Sequence, residues 1–392
     1  MRSADVLIVG GGPAGSTCAW ELRRRGFDVV VWDRKRFPRD KICAGWITPQ
    51  VCSTLELDLE AYASGGRTCQ PILGFQVSRQ GDREARVRYP TPVSYGIRRC
   101  EFDHYLLARS GAETRLGEPL RTLERRDDTW VVNGAVRAPV LVGAGGHFCP
   151  VAQHLGARLG QGEPVIAAQE CEFALTPEQA RACRVEPDLP EIFFTRDLKG
   201  YGWVFRKGDY INIGLGRQGN EKLAAHVAAF LQWLSARGKV PAELGTKMCG
   251  HPYLLYDQAP RPLVSDAALL IGDAAGLAYP KSGEGIRPAI ESGILAALTI
   301  TEAAGAYDRA HLAAYARRMT DRFGPRGPAP SLLDLVPEWL LKPLAGQLFG
   351  RQWFARRVVL DDWFFHAQQP ALNAGARDDA RATAANLAPS AG

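Results

Sequence analysis

The chain has 392 residues, 46% of them hydrophobic and 23% charged, and its formal net charge of +6 is carried mainly by arginine scattered along its length. That composition suits a soluble globular protein with two interleaved domains, and so small and dispersed a charge gives no footprint for nucleic acid. The nine cysteines are odd in number with no C-x-x-C pair, and the seven histidines lack metal-ligand spacing, so the pattern fits reduced thiols in a cytoplasm and supports no disulfide frame or metal centre.

Residues 4–33 read as strand, glycine turn, helix and strand: ADVLIVG, GGPAGSTCAWELRRRG, FDVVVWD. This βαβ unit opens a parallel sheet. Within GGGPAG, the residues Gly10, Gly12 and Gly15 stand in G-x-G-x-x-G spacing directly between strand and helix, with Pro13 and Ala14 enclosed. Gly10 permits the tight turn, Gly12 lets the backbone approach a pyrophosphate, and Gly15 allows close helix–strand packing. Asp33 ends the second strand at the interval where a carboxylate hydrogen-bonds an adenosine ribose. A dinucleotide is expected to bind here. Strand-like segments follow at 72–79, 85–89, 192–195 and 200–216, apolar strands ending in glycines at 138–146 and 266–276, and a helical run from Glu284 carrying Ile286, Ile290, Ile294, Leu295 and Leu298. The β-rich pieces predict a second domain inserted into the first. No uninterrupted apolar run reaches the roughly 18 residues of a membrane-crossing helix. In GYGWVFRKG the rings of Tyr201, Trp203 and Phe205 share one strand face, either as packed core or as the wall of a site. Residues 321–370 mix Pro, Trp, Arg and aliphatics in helix-length pieces, and the chain ends in a polar tail expected to be disordered.

The stretch IGDAAGLAYPKSGEGI resembles the second FAD-binding motif of glutathione-reductase-type flavoproteins, with Gly272 and Asp273 at a strand end and Gly283, Gly285 and Ile286 at a helix start. Taken with VGGGPAGSTCAWELRRRG, KICAGWITP, RRCEFDHYLL and YGWVFRKGDYINIGLG, it makes roughly residues 4–305 resemble the geranylgeranyl reductase family, relatives of the flavin monooxygenases and halogenases. The resemblance implies an α/β protein with a p-hydroxybenzoate hydroxylase-like FAD-binding fold. Its FAD-binding domain would comprise residues 1–62, 98–164 and 263–320, and its interleaved β-rich substrate domain residues 63–97 and 165–262. A C-terminal helical cap at 321–371 and a disordered tail at 372–392 complete the expected organisation.

The resemblance also implies roles. Asp273 would contact the ribityl chain, and the N–H groups of Gly285 and Ile286 the flavin N1/C2 edge. Cys43, Ala44 and Gly45 would pass close to the isoalloxazine, Arg99 would lie against the FAD, and Tyr201, Trp203, Phe205 and Tyr279 would hold an apolar substrate near N5. Cys43, Tyr201 or water would add the proton; His147 is read as a packing or hydrogen-bonding residue. Two departures stand out: Arg206 and Lys207 follow Phe205 where the family has proline, and Gly145 replaces an aspartate. A charge at Arg206 would meet a polar or anionic head group or face water, and Gly145 implies slow or no direct reduction by NADPH alone, with NADPH, a flavodoxin and a ferredoxin all open as electron donor and a redox protein as a possible partner. The expected activity is reduction of carbon–carbon double bonds in an isoprenoid. Its alternatives are a flavin monooxygenase or halogenase acting on an aromatic or polyketide-like metabolite, and a flavin binder without turnover. For the C-terminal segment, peripheral membrane contact stands beside the cap.

Overall fold

The computed structural model describes residues 1–158, 162–219, 222–327 and 338–373. Val6–Val9, Val29–Asp33 and Val140–Gly143 are runs of valine, leucine and isoleucine, buried almost throughout. Such runs belong in a parallel sheet covered on both faces. They form the centre of a six-stranded sheet ordered Val264–Ser265, Ala268–Leu270, Val140–Gly143, Val6–Val9, Val29–Asp33 and Glu113–Leu116; all pairs are parallel except the first. A first helix, Pro13–Arg24, and a long helix, Ile286–Ala303, cross over it. Gly293 makes the crossing close, since a Cβ there would stand 2.5 Å from the Ala14 carbonyl oxygen.

A seven-stranded sheet stands beside the first, in the order Cys249–Leu254, Val165–Ala174, Tyr210–Gln218, Gly200–Lys207, Glu191–Phe194, Gly74–Arg79 and Ala85–Arg88. Glycines decide what each face carries. Gly202 makes room for the Phe230 ring of helix Leu223–Ser235 on one face, where a Cβ would come within 2.5 Å of that ring. On the other, Gly214 makes room for Trp203, whose ring would lie 2.2 Å from a Cβ.

Two expected strands divide. The run at 72–79 breaks at Leu73: Cys69–Ile72 joins a small sheet with Trp46–Ile47 and Ser94–Ile97, while Gly74–Arg79 enters the large one. Gly74 allows the switch, because a side chain there would meet the Val87 carbonyl at 2.1 Å. The run at 138–146 likewise contributes Val136–Ala138 to a separate four-stranded sheet and Val140–Gly143 to the parallel one.

The C-terminal segment comprises helix Glu338–Phe349, a short turn of helix and a π-helix, Ala355–Phe364. It packs on the large sheet, where Phe349 stacks on Phe194 at 4.3 Å and Phe364 contacts Trp46 and Tyr201. Of the expected tail, Leu372 is buried and donates its N–H to the Thr54 hydroxyl at 3.0 Å; residues 374–392 lie outside the described residues. Among the described residues no helix is long and apolar enough to cross a membrane.

Candidate functional site

The two glycine turns come together at the carboxyl ends of the parallel strands. Gly10 has φ of +118°, and a Cβ there would overlap the Ala144 carbonyl at 2.2 Å; a Cβ on Gly15 would lie 1.9 Å from the Gly10 oxygen. Both glycines serve close packing of the backbone. Gly12 differs, because the nearest atom to a Cβ there is the Arg39 Nη2 at 3.4 Å, so its face opens onto space. Asp33 Oδ2 accepts the Gly11 N–H at 2.8 Å. At the second turn Gly272 has φ of +58° and donates its N–H to the Ser292 hydroxyl at 3.0 Å. The long helix starts at Ile286 with Gly285 as N-cap, two residues later than the sequence suggests.

Between these turns and the large sheet lies a cavity of about 430 Å³. Of the residues expected at the site, Gly12, Pro13, Ala14, Asp33, Cys43, Ala44, Gly45, Arg99, Asp273, Gly283, Gly285 and Ile286 line it, as do Tyr201 and Trp203. Gly10, Gly15 and Gly272 stand behind the wall. Phe205 does not reach the cavity: it is 1% exposed and packed against Trp46 at 4.7 Å and Phe75 at 6.1 Å, because Trp46 folds over it. Tyr279 faces the C-terminal segment instead, its hydroxyl bonded to Gln369 and its ring 3.7 Å from that of His366. Arg206 points to the opposite sheet face, toward the Ala180 carbonyl, and so neither lines the cavity nor meets a head group there. No described residue of the C-terminal segment lines the cavity; that segment backs the aromatic wall rather than covering the opening.

Charged groups converge on the Cys43 loop. Arg99 is buried and paired with Asp103 at 2.8 Å; burial alone would lower its pKa, but Asp103 and the neighbouring Cys43 thiol, within hydrogen-bonding reach, raise it. Lys41 Nζ lies 2.6 Å from His251 Nε2 and 3.9 Å from Asp273 Oδ2. Burial pushes Lys41 and His251 down, whereas Asp273 is held below the carboxylate range because the His251 contact and the charges of Lys41 and Arg99 outweigh its own burial. Burial also depresses His147 to about 4, reinforced by Arg261, whose Nη1 bonds the His147 carbonyl at 2.8 Å.

Two further carboxyls border the cavity. Glu284 accepts the Arg287 N–H at 2.8 Å and is pushed up to about 7 by burial. Glu170, on strand Val165–Ala174, is likewise pushed up to about 7, by burial first and by neighbouring Glu172. Lys41, His251, Glu170 and Glu284 are the residues that sequence reasoning missed. A signal existed for one: two acids two positions apart in the otherwise apolar run VIAAQECEFA.

A parallel sheet with two dinucleotide-type turns facing one cavity defines a flavoprotein oxidoreductase. A family model described as FAD dependent oxidoreductase matches residues 5–81. The chain is 31% identical over 319 residues to the menaquinone reductase of Mycolicibacterium smegmatis, covering 76% of each protein. It is 28% identical over 316 residues to the geranylgeranyl diphosphate reductase of Rhodobacter capsulatus, covering 75% of this chain and 74% of that one. Among solved structures it resembles a geranylgeranyl bacteriochlorophyll reductase-like protein from Thermoplasma acidophilum, with a TM-score of 0.73, 21% identity and coverage of 91% and 93%. The chain belongs to the geranylgeranyl reductase family of FAD-dependent oxidoreductases, and its fold is the FAD-binding fold of that family. The residues present fit FAD. Two of the helices that border the cavity, Pro13–Arg24 and Ile286–Ala303, have glycine N-caps, and Gly12 leaves open the face where a pyrophosphate would approach.

Proposed function

We propose that the protein reduces carbon–carbon double bonds of an isoprenoid or similar apolar substrate. The observation that carries this reading is the wall formed by Tyr201 and Trp203, which faces the Cys43 loop and the start of the long helix across one cavity. When bound, reduced FAD supplies the hydride. The chain's own residues do the rest: Gly12 and the helix ends hold the dinucleotide, Asp273 is the group for the ribityl chain, and the two rings press an apolar chain against the flavin edge. Cys43 stays a proton-handling candidate beside Arg99, whereas the Tyr201 hydroxyl already donates to the Ser282 carbonyl. The menaquinone reductase among the relatives makes a quinone with an isoprenoid chain the first substrate to try.

Gly145 supports a flavodoxin or ferredoxin as electron donor in preference to NADPH. Exposed Trp353 and Leu344 support peripheral contact of the C-terminal segment with a membrane that stores such substrates. The test is anaerobic stopped-flow. Dithionite-reduced enzyme mixed with geranylgeranyl diphosphate, which has no quinone ring to take the electrons, should regain its oxidised flavin spectrum without oxygen. Reoxidation that occurs only with oxygen would overturn the reductase reading, and fast bleaching of oxidised enzyme by NADPH would overturn the donor assignment.

A further inference from the structure

Resting on the reductase reading, we propose that Glu170 is the acid that protonates the substrate carbon not attacked by hydride. Trp203, Gly214 and Glu170 are paired directly across three adjacent strands, so they emerge on one face of the sheet. Gly214 has no side chain, and nothing stands in that row between the Trp203 indole and the Glu170 carboxyl. Glu170 as a residue is 5% exposed and lines the cavity from the large sheet, opposite the glycine turns.

Its partners are all donors. Asn212 Nδ2 lies 3.4 Å from Oε2, and the Cys43 N–H also donates to the carboxyl. A proton on Glu170 therefore has no acceptor among the described contacts and can be directed at a substrate. Three other proton-bearing groups nearby are committed: the Tyr201 hydroxyl to the Ser282 carbonyl, Lys41 to His251, and Lys207 to Glu172 at 2.6 Å.

Glu172 supplies the complement. It sits two residues along on the same face, shares Asn212, and is held as a carboxylate by Lys207 and Arg98, while Glu170 beside it is pushed up to about 7. Two neighbouring carboxyls driven apart in this way divide into a fixed charge and an acid poised near neutrality. The groups that face Glu170 are Glu172 on its own strand, Asn212 and Lys207 on the next two strands, and Cys43 on the loop above.

The step balances. The alkene π bond breaks, one carbon accepts the hydride that reduced FAD supplies, and the π electron pair forms the second C–H bond with the Glu170 proton. Flavin is oxidised by two electrons, the alkene is reduced by two, and Glu170 is left as a carboxylate stabilised by Asn212 and the Cys43 N–H until solvent reprotonates it.

The test uses the holoenzyme. Infrared spectra of oxidised, substrate-free protein labelled with carboxyl-¹³C glutamate should show the carbonyl stretch of a protonated carboxylic acid that Glu170→Gln removes and Glu284→Gln does not. In anaerobic single turnover with geranylgeranyl diphosphate, whose only acceptors for the flavin electrons are carbon–carbon double bonds, Glu170→Gln should slow flavin reoxidation about a hundredfold or more, with FAD content and substrate affinity unchanged. Glu170→Asp should recover part of the rate. A wild-type rate in Glu170→Gln, or no such band in unaltered protein, overturns the assignment, and if the glutamine variant fails to fold, Glu170→Asp carries the same test, because with only glutamate labelled that substitution too must remove the band. Wild-type enzyme that no unsaturated lipid reoxidises overturns instead the reductase reading on which the proposal depends.

Discussion

Single atoms separate the glycines that build this fold from the one that leaves room for its cofactor. Gly12 has ordinary extended geometry, with φ of −73° and ψ of −175°, and an added methyl would meet only Arg39 Nη2 at 3.4 Å. Gly12→Ala should therefore leave the melting temperature of FAD-free protein near wild type, within about 0.5 kcal/mol, and lower FAD content on purification. Gly15→Ala should cost about 1–3 kcal/mol, because its methyl overlaps the Gly10 oxygen at 1.9 Å; absorbance and a thermal scan distinguish the two. Glu284 offers a pH test. Its folded value of about 7 lies above its ordinary 4.5, so the folded protein keeps a proton that the unfolded chain releases, and the stability this confers is lost as pH rises through that window. Glu284→Gln cannot titrate, so its melting temperature should gain on wild type between about pH 5 and about pH 8; a constant difference would show that this carboxyl ionises normally. The first glycine motif was legible in the sequence because its spacing is local, and Asp273 and Cys43 because the short segments that carry them resemble those of the family. Lys41 and His251 stand 210 positions apart and meet only through the fold, so no periodicity announces them.

Alternation along a strand identifies a shared face without saying where a cavity ends. Tyr201, Trp203 and Phe205 do share a face, yet the cavity stops between the second and third ring, where Trp46 closes over Phe205. Phe205→Ala should cost about 3–5 kcal/mol with substrate affinity unchanged in the folded fraction. Trp203→Phe should cost about 1–3 kcal/mol, because Asn212 Oδ1 loses the indole N–H that reaches it at 2.8 Å. Helix Ile286–Ala303 carries a second buried device. Arg287, paired with Glu291 at 2.9 Å, donates to the carbonyls of Phe365, Gln369 and Pro370 and so ties the C-terminal segment to the helix that starts at the cavity. Arg287→Met leaves those oxygens without that donor, and we expect faster proteolysis and hydrogen exchange across residues 365–372. Unchanged protection there would show that Arg322, which also reaches the Pro370 carbonyl, suffices.

At the scale of the whole molecule, the parallel sheet was readable because each buried strand is a continuous apolar run bounded by glycine. The large sheet was harder to read. Its strands are short and come from distant parts of the chain, and only backbone crowding at Gly74 shows that one apparent strand serves two sheets. The packing of the C-terminal segment was not legible either: its Trp and Arg content fits a cap, a membrane face or a core, and the contacts of Phe349 with Phe194, Phe364 with Trp46 and Phe365 with Phe75 show that its described part joins a core.

That packing has a consequence for how the protein is made. Ribosomes deliver the chain from its N-terminus, so every strand of the parallel sheet has been synthesised once Leu270 is added, well before the C-terminal segment. The second core then still lacks Phe349, Phe364 and Phe365, the rings that cover Phe75, Trp46 and Phe194. A nascent chain stopped at residue 327 should be able to complete the dinucleotide half while exposing the aromatic underside of the substrate sheet, and should bind a hydrophobic dye that the full chain excludes. The half built on the large sheet is thus the last to be sealed.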